Sequence, residues 1–328
     1  MSKIAVLNEF SIEAIRDALQ KLNAFDKLKI NGLYAYQLTE LEAIDPELFA
    51  EISDMIKSGR WFPYAGAWNN SDELSEIALI KSCLYSVRYF LDNFGKKYRV
   101  FHGKKIYNNL FPQAVYSSLF DAVVLDDENE SKWLQGADDF RTLVMTAETV
   151  DVTDIDDGFI KANEFISYEE LADAFFESHL DLETVTLPTC NIKPEGIEKE
   201  LIDAEMLSAI NGDDKTDKIR EAWIAHFDGE SEKAREIADG ISGGKAPDIG
   251  KIKLHGDGVA LTEVKLSEDG SGDTVVRVAE TCGKEQSAYI MYDRLNSGFR
   301  FEIMPYEMPT FRITNDGSGY AKEIYICE

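Results

Sequence analysis

The hydrophobic period changes twice along this chain of 328 residues, and those changes restrict its architecture more than any other feature. Up to about residue 190, short apolar runs alternate with amphipathic helical patterns, the signature of a mostly parallel, layered α/β arrangement. "KIAVL" (3–7) reads as a strand, and "SIEAIRDALQKL" (11–22) as a helix with Ser11 at its N-cap. "LKINGLYAYQL" (28–38) reads as extended; Pro46 opens a helix that Gly59 ends, and a longer helix runs from about Asp72 to Phe94, closed by Gly95. "YRVFH" (98–102), "DAVVL" (121–125) and "TLVMT" (142–146) are further strands, with "FPQAVYSSL" as a helix between the first two. Ser167 and Glu170 form a capping box for "YEELADAFFESH". From Pro194 to Ile241 the pattern is wholly helical, in three segments near 195–210, 215–227 and 230–241. After the linker "SGGKAPD" the period becomes two, over seven short runs separated by Gly, Asn and Asp turns, as in an antiparallel sandwich. The division is therefore an α/β domain over 1–190, a helical segment and linker over 191–248, and a β-sandwich-like domain over 249–328.

The formal charge of −27, from 61 acidic and 34 basic residues, excludes nucleic-acid phosphates and anionic lipid as partners and favours solubility. No run of eighteen apolar residues is present, so no membrane span is expected. "MSKIAVLNEF" has no signal-peptide pattern, and Cys83, Cys190, Cys282 and Cys327 are far apart without a CxxC pair. These features predict a cytoplasmic protein with reduced thiols. The oligomeric state is left open.

Residues 58–70, "SGRWFPYAGAWNN", hold two tryptophans, a phenylalanine and a tyrosine between Gly59, Pro63 and Gly66, a density of aromatics fitting either a ligand-binding loop or a packed corner. This stretch lies in a longer run, "DPELFAEISDMIKSGRW", "GAW", "D" and "LIKSCLYSVRYFLDNFG", continued by "YRVFHGKKIYNNLFPQAVYSSLFDAVVL". The run resembles glycoside hydrolase family 38, the α-mannosidases, whose corresponding segments read Gly-Arg-Trp-Glu, Gly-Gly-x-Trp-Val-Glu-x-Asp, Leu-x-Arg-Gln…Arg-Tyr-Phe…Phe-Gly and Pro-Asp-x-Phe-Gly…Leu-Pro-Gln. A second stretch, "VALTEVKLSEDGSGDTVVRVAE" with "RFEIMPYEMPTFRI", is similar to the family's closing sheet. The resemblance implies an α/β catalytic domain, a helical bundle and C-terminal β domains. It also implies retaining hydrolysis by an Asp nucleophile and a carboxylic acid/base, with zinc held by a His-x-Asp pair, the nucleophile and a later His.

The residues that such chemistry requires are replaced. No histidine precedes His102, so the first zinc pair has no counterpart, and no zinc or other cofactor is expected. Within Gly103, Lys104, Lys105, Ile106 and Tyr107, the nucleophile position falls at Lys105, whose ammonium can neither attack an anomeric carbon as a carboxylate does nor ligate zinc. Phe62 and Asn70 stand where the resemblance expects acids, and Lys81-Ser82 replaces Arg-Gln. Arg60, Trp61, Tyr64, Trp68 and Asp72 are then the candidate ligand-binding residues, with carbohydrate as the ligand. For catalysis the candidates are Asp126 and Asp127 at the end of the "AVVL" strand, and His102 at another strand end. The sequence thus predicts a family relative without the zinc machinery that is catalytically inactive and binds saccharide. The alternatives are a metal-independent hydrolase with a rebuilt carboxylate pair and a non-catalytic interaction module. "DIDDGFIKANE" does not fit a calcium loop: with Gly158 at the sixth position, Ile155 occupies a ligand position.

Overall fold

A computed structural model describes residues 2–69, 74–103, 119–125, 128–136, 141–178, 181–187, 194–243, 252–293 and 297–324. In the first layer, β1 (Ile4–Val6), β2 (Ile30–Asn31), β3 (Trp61–Phe62) and β8 (Thr149–Asp151) pair in parallel in the order β3-β2-β1-β8. The Ser11 hydroxyl accepts the Ala14 N–H at 3.2 Å and starts α1 (Ile12–Ala24), which buries Ala14, Ile15, Ala18, Leu19 and Leu22 on one face. Asp45 caps α3 (Pro46–Lys57), which places Pro46 in the first turn, where its missing N–H costs nothing.

The stretch 28–38 departs from the extended expectation. Only Ile30–Asn31 is strand; Leu33 turns the chain with φ 73°, and α2 (Ala35–Ile44) follows at once. Gln37 accepts the Tyr34 N–H at 2.9 Å, and Ala35, Leu38 and Leu41 face the core at helical spacing, which overrides the β preference of the two tyrosines.

The second layer contains β4 (Val100–Gly103), β5 (Ala122–Leu125) and β7 (Arg141–Met145) in parallel, then β6 (Lys132–Gln135), antiparallel to β7, and β9 (Thr184–Thr186) at the edge. The layers meet where the His102 N–H donates to the Ala65 carbonyl at 2.8 Å, in a parallel bridge between Gly66 and His102. Gly66 is required there: a Cβ would lie 2.5 Å from the His102 carbonyl oxygen.

Behind the sheets runs α4 (Glu76–Phe94), capped by Ser75 and ended by Gly95 at φ 63°. It begins four residues after the expected start at Asp72, which lies outside the described residues, as does "FPQAVYSSL" apart from Leu119. Asp156 caps the short α5 (Asp157–Ala162), and the Ser167–Glu170 box starts α6 (Tyr168–Ser178).

The helical segment comprises α7 (Gly196–Asn211), α8 (Thr216–Phe227) and α9 (Ser231–Ser242). After it come β10 (Ile252–His255), β11 (Val259–Leu266), β12 (Thr274–Glu280), β13 (Gln286–Tyr292), β14 (Ser297–Ile303), β15 (Thr310–Ile313) and β16 (Ala321–Ile324). They form two antiparallel sheets, β10-β13-β14 and β11-β12-β15-β16, over a shared core that includes Val264, Val276, Ile290, Tyr292 and Phe311. Met206, Ala209 and Ile210 of α7 enter that core, while Leu201, Ile202 and Ala204 of the same helix enter the core of the α/β part. Its apolar residues therefore point to two sides, while Lys199 and Glu200 stay exposed. It ties the three parts into one packed body. Among the described residues no helix is long and apolar enough to cross a membrane, and Cys83 and Cys282 are free thiols.

Candidate functional site

In α/β sheets, functional groups gather at strand ends, so His102 at the end of β4 is the first place to look. Its side chain is only 7% exposed. Nδ1 shares a hydrogen bond of 2.8 Å with the Tyr34 hydroxyl, and the ring stacks on Tyr64 with centroids 3.9 Å apart and planes inclined by 6°. Tyr168 closes the group at 5.7 Å from His102. The space left among them is about 10 Å³, room for at most one water. Nearby Glu169 accepts the backbone N–H groups of Arg99 and Val100; burial raises its pKa despite those bonds and the Arg99 charge. Among the described residues, aromatic rings plug this strand end and leave no cleft large enough for a sugar.

The residues of the 58–70 corner separate into two groups. Arg60 donates to the carbonyls of Leu22 and Phe25, which terminates α1, and the Trp61 ring is completely buried with its Nε1–H on the Gly32 carbonyl at 2.9 Å. Both are framework, in place of the ligand-facing role expected for them, because a Gly59 turn at φ 73° carries the chain straight into β3. Tyr64 belongs to the strand-end plug. Trp68, itself only 5% exposed, is the described candidate that borders a cleft larger than a single water. Asp72, Asp126 and Asp127 lie outside the described residues, as does Lys105.

Trp68 is set by its backbone N–H, which donates to the buried Ser82 hydroxyl of α4 at 2.7 Å, and its ring meets Tyr89 edge-on at 5.7 Å. On one side of it is a cleft of about 180 Å³ at the junction of α4, α8, β11 and β12, walled by Trp68, Tyr85 and Tyr89. Arg88, Asp92 and Asn93 of α4 and Arg220 of α8 bring polar groups to this cleft. On the other side is a wider groove of about 710 Å³ lined by Tyr36, Thr39, Glu40, Asn69 and Asp228, and Trp68 and Ile224 border both spaces. Asn69 bridges to the Phe227 carbonyl and to Asp228 Oδ1 at 3.1 Å, so the loop and the end of α8 move as one wall. Burial raises the pKa of Asp228, and burial followed by the Glu40 charge raises that of Tyr36.

The floor of the smaller cleft is a buried charge network. Lys81 Nζ lies 2.5 Å from Glu205 Oε1, 3.3 Å from Glu263 Oε1 and 4.4 Å from the centre of the Trp223 ring. Trp223 Nε1–H donates to Glu205 at 2.6 Å, and Arg277 pairs with Glu263. Burial works against ionisation of both carboxylates. At Glu205 it prevails over Lys81 and the pKa is raised; at Glu263, Arg277, Lys81 and Lys265 together outweigh it and hold the pKa far below the usual range. At Tyr85 burial, then Glu205 and Glu263, drive the phenol pKa well up.

Sequence reasoning missed this network because its members span residues 81 to 277 with no common motif. The available signal was a charge flanked by apolar residues, clearest for Lys81 in "ALIKSCL" and weaker for Glu205 in "AEML" and Glu263 in "LTEV".

The residues described do not fit zinc. No three of His, Cys, Asp and Glu converge among them, and the His102 nitrogen that faces a neighbour is engaged by Tyr34. No step through a metal is derived.

Two layers of mostly parallel strands, a helical segment and a closing sandwich define a layered α/β architecture. Residues 16–103 match the family model for the glycosyl hydrolases family 38 N-terminal domain. A protein in glycosyl hydrolase family 38 from Enterococcus faecalis shares the fold at 14% identity and a TM-score of 0.56, over 85% of this chain and 44% of that one. An alpha-mannosidase from Enterococcus faecalis V583 does so at 12% identity and a TM-score of 0.56, over 85% and 46%. This chain thus spans less than half the length of either. No curated protein sequence matches it. The sequence likeness to family 38 is carried by residues 16–103, and the likeness to the two solved structures is one of fold.

Proposed function

We propose that this protein is a saccharide-binding relative of family 38 that does not hydrolyse glycosides by a zinc-dependent route. The observation that carries this reading is the cleft beside Trp68, where three aromatic walls meet Arg88, Asp92 and Asn93. A pyranose presents C–H faces that pack on aromatic rings and hydroxyl pairs that planar carboxylate, amide and guanidinium groups bind two at a time. A position where three parts of a chain meet is also where small-molecule sites concentrate. The loss of hydrolysis rests on the sequence, which has Lys105 at the nucleophile position and no histidine before His102.

Calorimetry with methyl α-mannoside and α-mannobiose, beside a chromogenic α-mannoside assay with and without chelator, tests this. Binding without product release supports the reading. Hydrolysis lost to chelator contradicts it.

One observation favours a second reading, a metal-independent hydrolase. Glu205 and Glu263 approach the same Lys81 ammonium, at 2.5 and 3.3 Å, which makes them the paired carboxylates of the described residues beside the cleft. Glu205, however, is closed off by Lys81 and Trp223 and is 1% exposed. Chelator-resistant hydrolysis abolished by Glu263→Gln would establish this second reading.

A further inference from the structure

The smaller cleft runs against the charge of the whole protein. In a chain with 61 acidic and 34 basic residues, five cations line it: Lys81, Arg88, Arg220, Lys265 and Arg277. Only three carboxylates, Asp92, Glu263 and Glu268, line it with them.

Three of the cations converge on one carboxylate. Arg220 Nη2 lies 2.8 Å from Glu268 Oε2, Arg88 Nη2 lies 3.4 Å from the same oxygen, and Lys265 Nζ lies 2.8 Å from Oε1. Each cation comes from a different part of the chain: Arg88 from α4, Arg220 from α8 and Lys265 from β11. Arg88 Nε also pairs with Asp92 at 3.1 Å, and two guanidiniums and an ammonium still carry more N–H donors than these two carboxylates have lone-pair positions. The chain's own carboxylate therefore marks where anionic oxygens sit and leaves donors over for a second group. Arg88 and Arg220 are 39% and 41% exposed, so their forks are open to an incoming ligand. Planar guanidinium forks match the paired oxygens of phosphate, sulfate and carboxylate.

We infer that the cleft takes a saccharide bearing an anionic group, a phosphate, sulfate or carboxylate, with the sugar ring against Trp68, Tyr85 and Tyr89 and the anion at Arg88 and Arg220. This inference rests on the saccharide-binding reading and specifies its substrate class. A neutral sugar makes only hydroxyl hydrogen bonds with these groups, whereas an anionic one exchanges water on two guanidiniums for charge-assisted hydrogen bonds. Repulsion by the −27 net charge acts at a distance, so recognition depends on this local reversal of sign and weakens as salt screens it.

The test is isothermal titration of the full chain at low salt with mannose 6-phosphate, mannuronate, methyl α-mannoside and inorganic phosphate, repeated with Arg88→Gln/Arg220→Gln. Mannose 6-phosphate or mannuronate is expected to bind at least about tenfold more tightly than methyl α-mannoside, the equivalent of about 1.4 kcal/mol. The double variant should lose that preference, its affinity for the charged sugars falling further than its affinity for methyl α-mannoside, while retaining its circular dichroism spectrum. Whichever charged sugar binds identifies the anionic group. Equal affinity for charged and neutral sugars overturns the inference and leaves saccharide binding standing. Phosphate binding as tightly as mannose 6-phosphate upholds the anion site and removes the sugar. No binding by any of the four overturns both.

Discussion

The imidazole of His102 lies flat against the Tyr64 ring, with centroids 3.9 Å apart and planes within 6° of parallel. Tyr64 follows β3 and His102 ends β4, and the chain beside each ring also forms the hydrogen bond that joins the two sheets. The aromatic pair occupies a strand-end position that an α/β protein offers to a ligand, and the proposed saccharide site is the Trp68 cleft instead. Tyr64→Ala should therefore destabilise the fold by about 3–5 kcal/mol, as large-to-small core substitutions of aromatic rings do. Its saccharide affinity should stay within about twofold of the parent under conditions where it is folded. Urea denaturation and calorimetry check the two halves, and a tenfold loss of affinity at full stability would return the site to the strand end.

Lys81 neutralises two buried carboxylates contributed by α7 and β11. Lys81→Met leaves Glu205 and Glu263 facing each other with one cation fewer, and removal of one partner from a buried pair costs about 3–5 kcal/mol. Lys81→Met/Glu205→Leu removes charge from both sides and should be more stable than Lys81→Met alone. Chemical denaturation of both variants measures this. A double variant less stable than the single one would mean that Glu205 gains its stability from Trp223 rather than from Lys81.

Acid sensitivity follows from the rim. Burial raises the pKa of Glu268, but Lys265, Arg88 and Arg220 together lower it below its ordinary value. A carboxylate with a folded pKa below its unfolded one contributes stability above the unfolded value, about 4.3, and loses it as pH falls through the folded value. Unfolding midpoints should therefore fall on acidification below about pH 4.3, and Glu268→Gln should flatten that fall. Identical acid slopes for the parent and the variant would show that the three cations do not hold Glu268 ionised.

Much of this fold can be read from residues that act locally. Ser11 and Ser75 at N-caps, Pro46 in a first turn, Gly95 at a C-cap and the Ser167–Glu170 box are marked by side chains that bond within four positions of themselves. The three helices of the middle segment and the seven strands of the sandwich follow the apolar period to within a few residues. The sequence hides β6, β8 and β9, strands of three or four residues too short to show alternation, and α2, whose Tyr34 and Tyr36 disguise a helical core face. The site was only partly legible. Trp68 sits in an unmistakable aromatic corner, but its cleft depends on Arg220 and Lys265, which packing brings near α4 from more than a hundred residues away.

The central claim is saccharide binding at Trp68 without zinc-dependent hydrolysis. The most direct measurement is a calorimetric titration of the full chain and of Trp68→Ala with α-mannobiose and mannose 6-phosphate, with released sugar assayed in the same samples. The account predicts saturable binding by the parent, at least about tenfold weaker binding by Trp68→Ala, in line with stacking contributions on the order of 1.5 kcal/mol, and no released sugar from either. Equal binding by the parent and Trp68→Ala, or sugar release that a chelator stops, would contradict it.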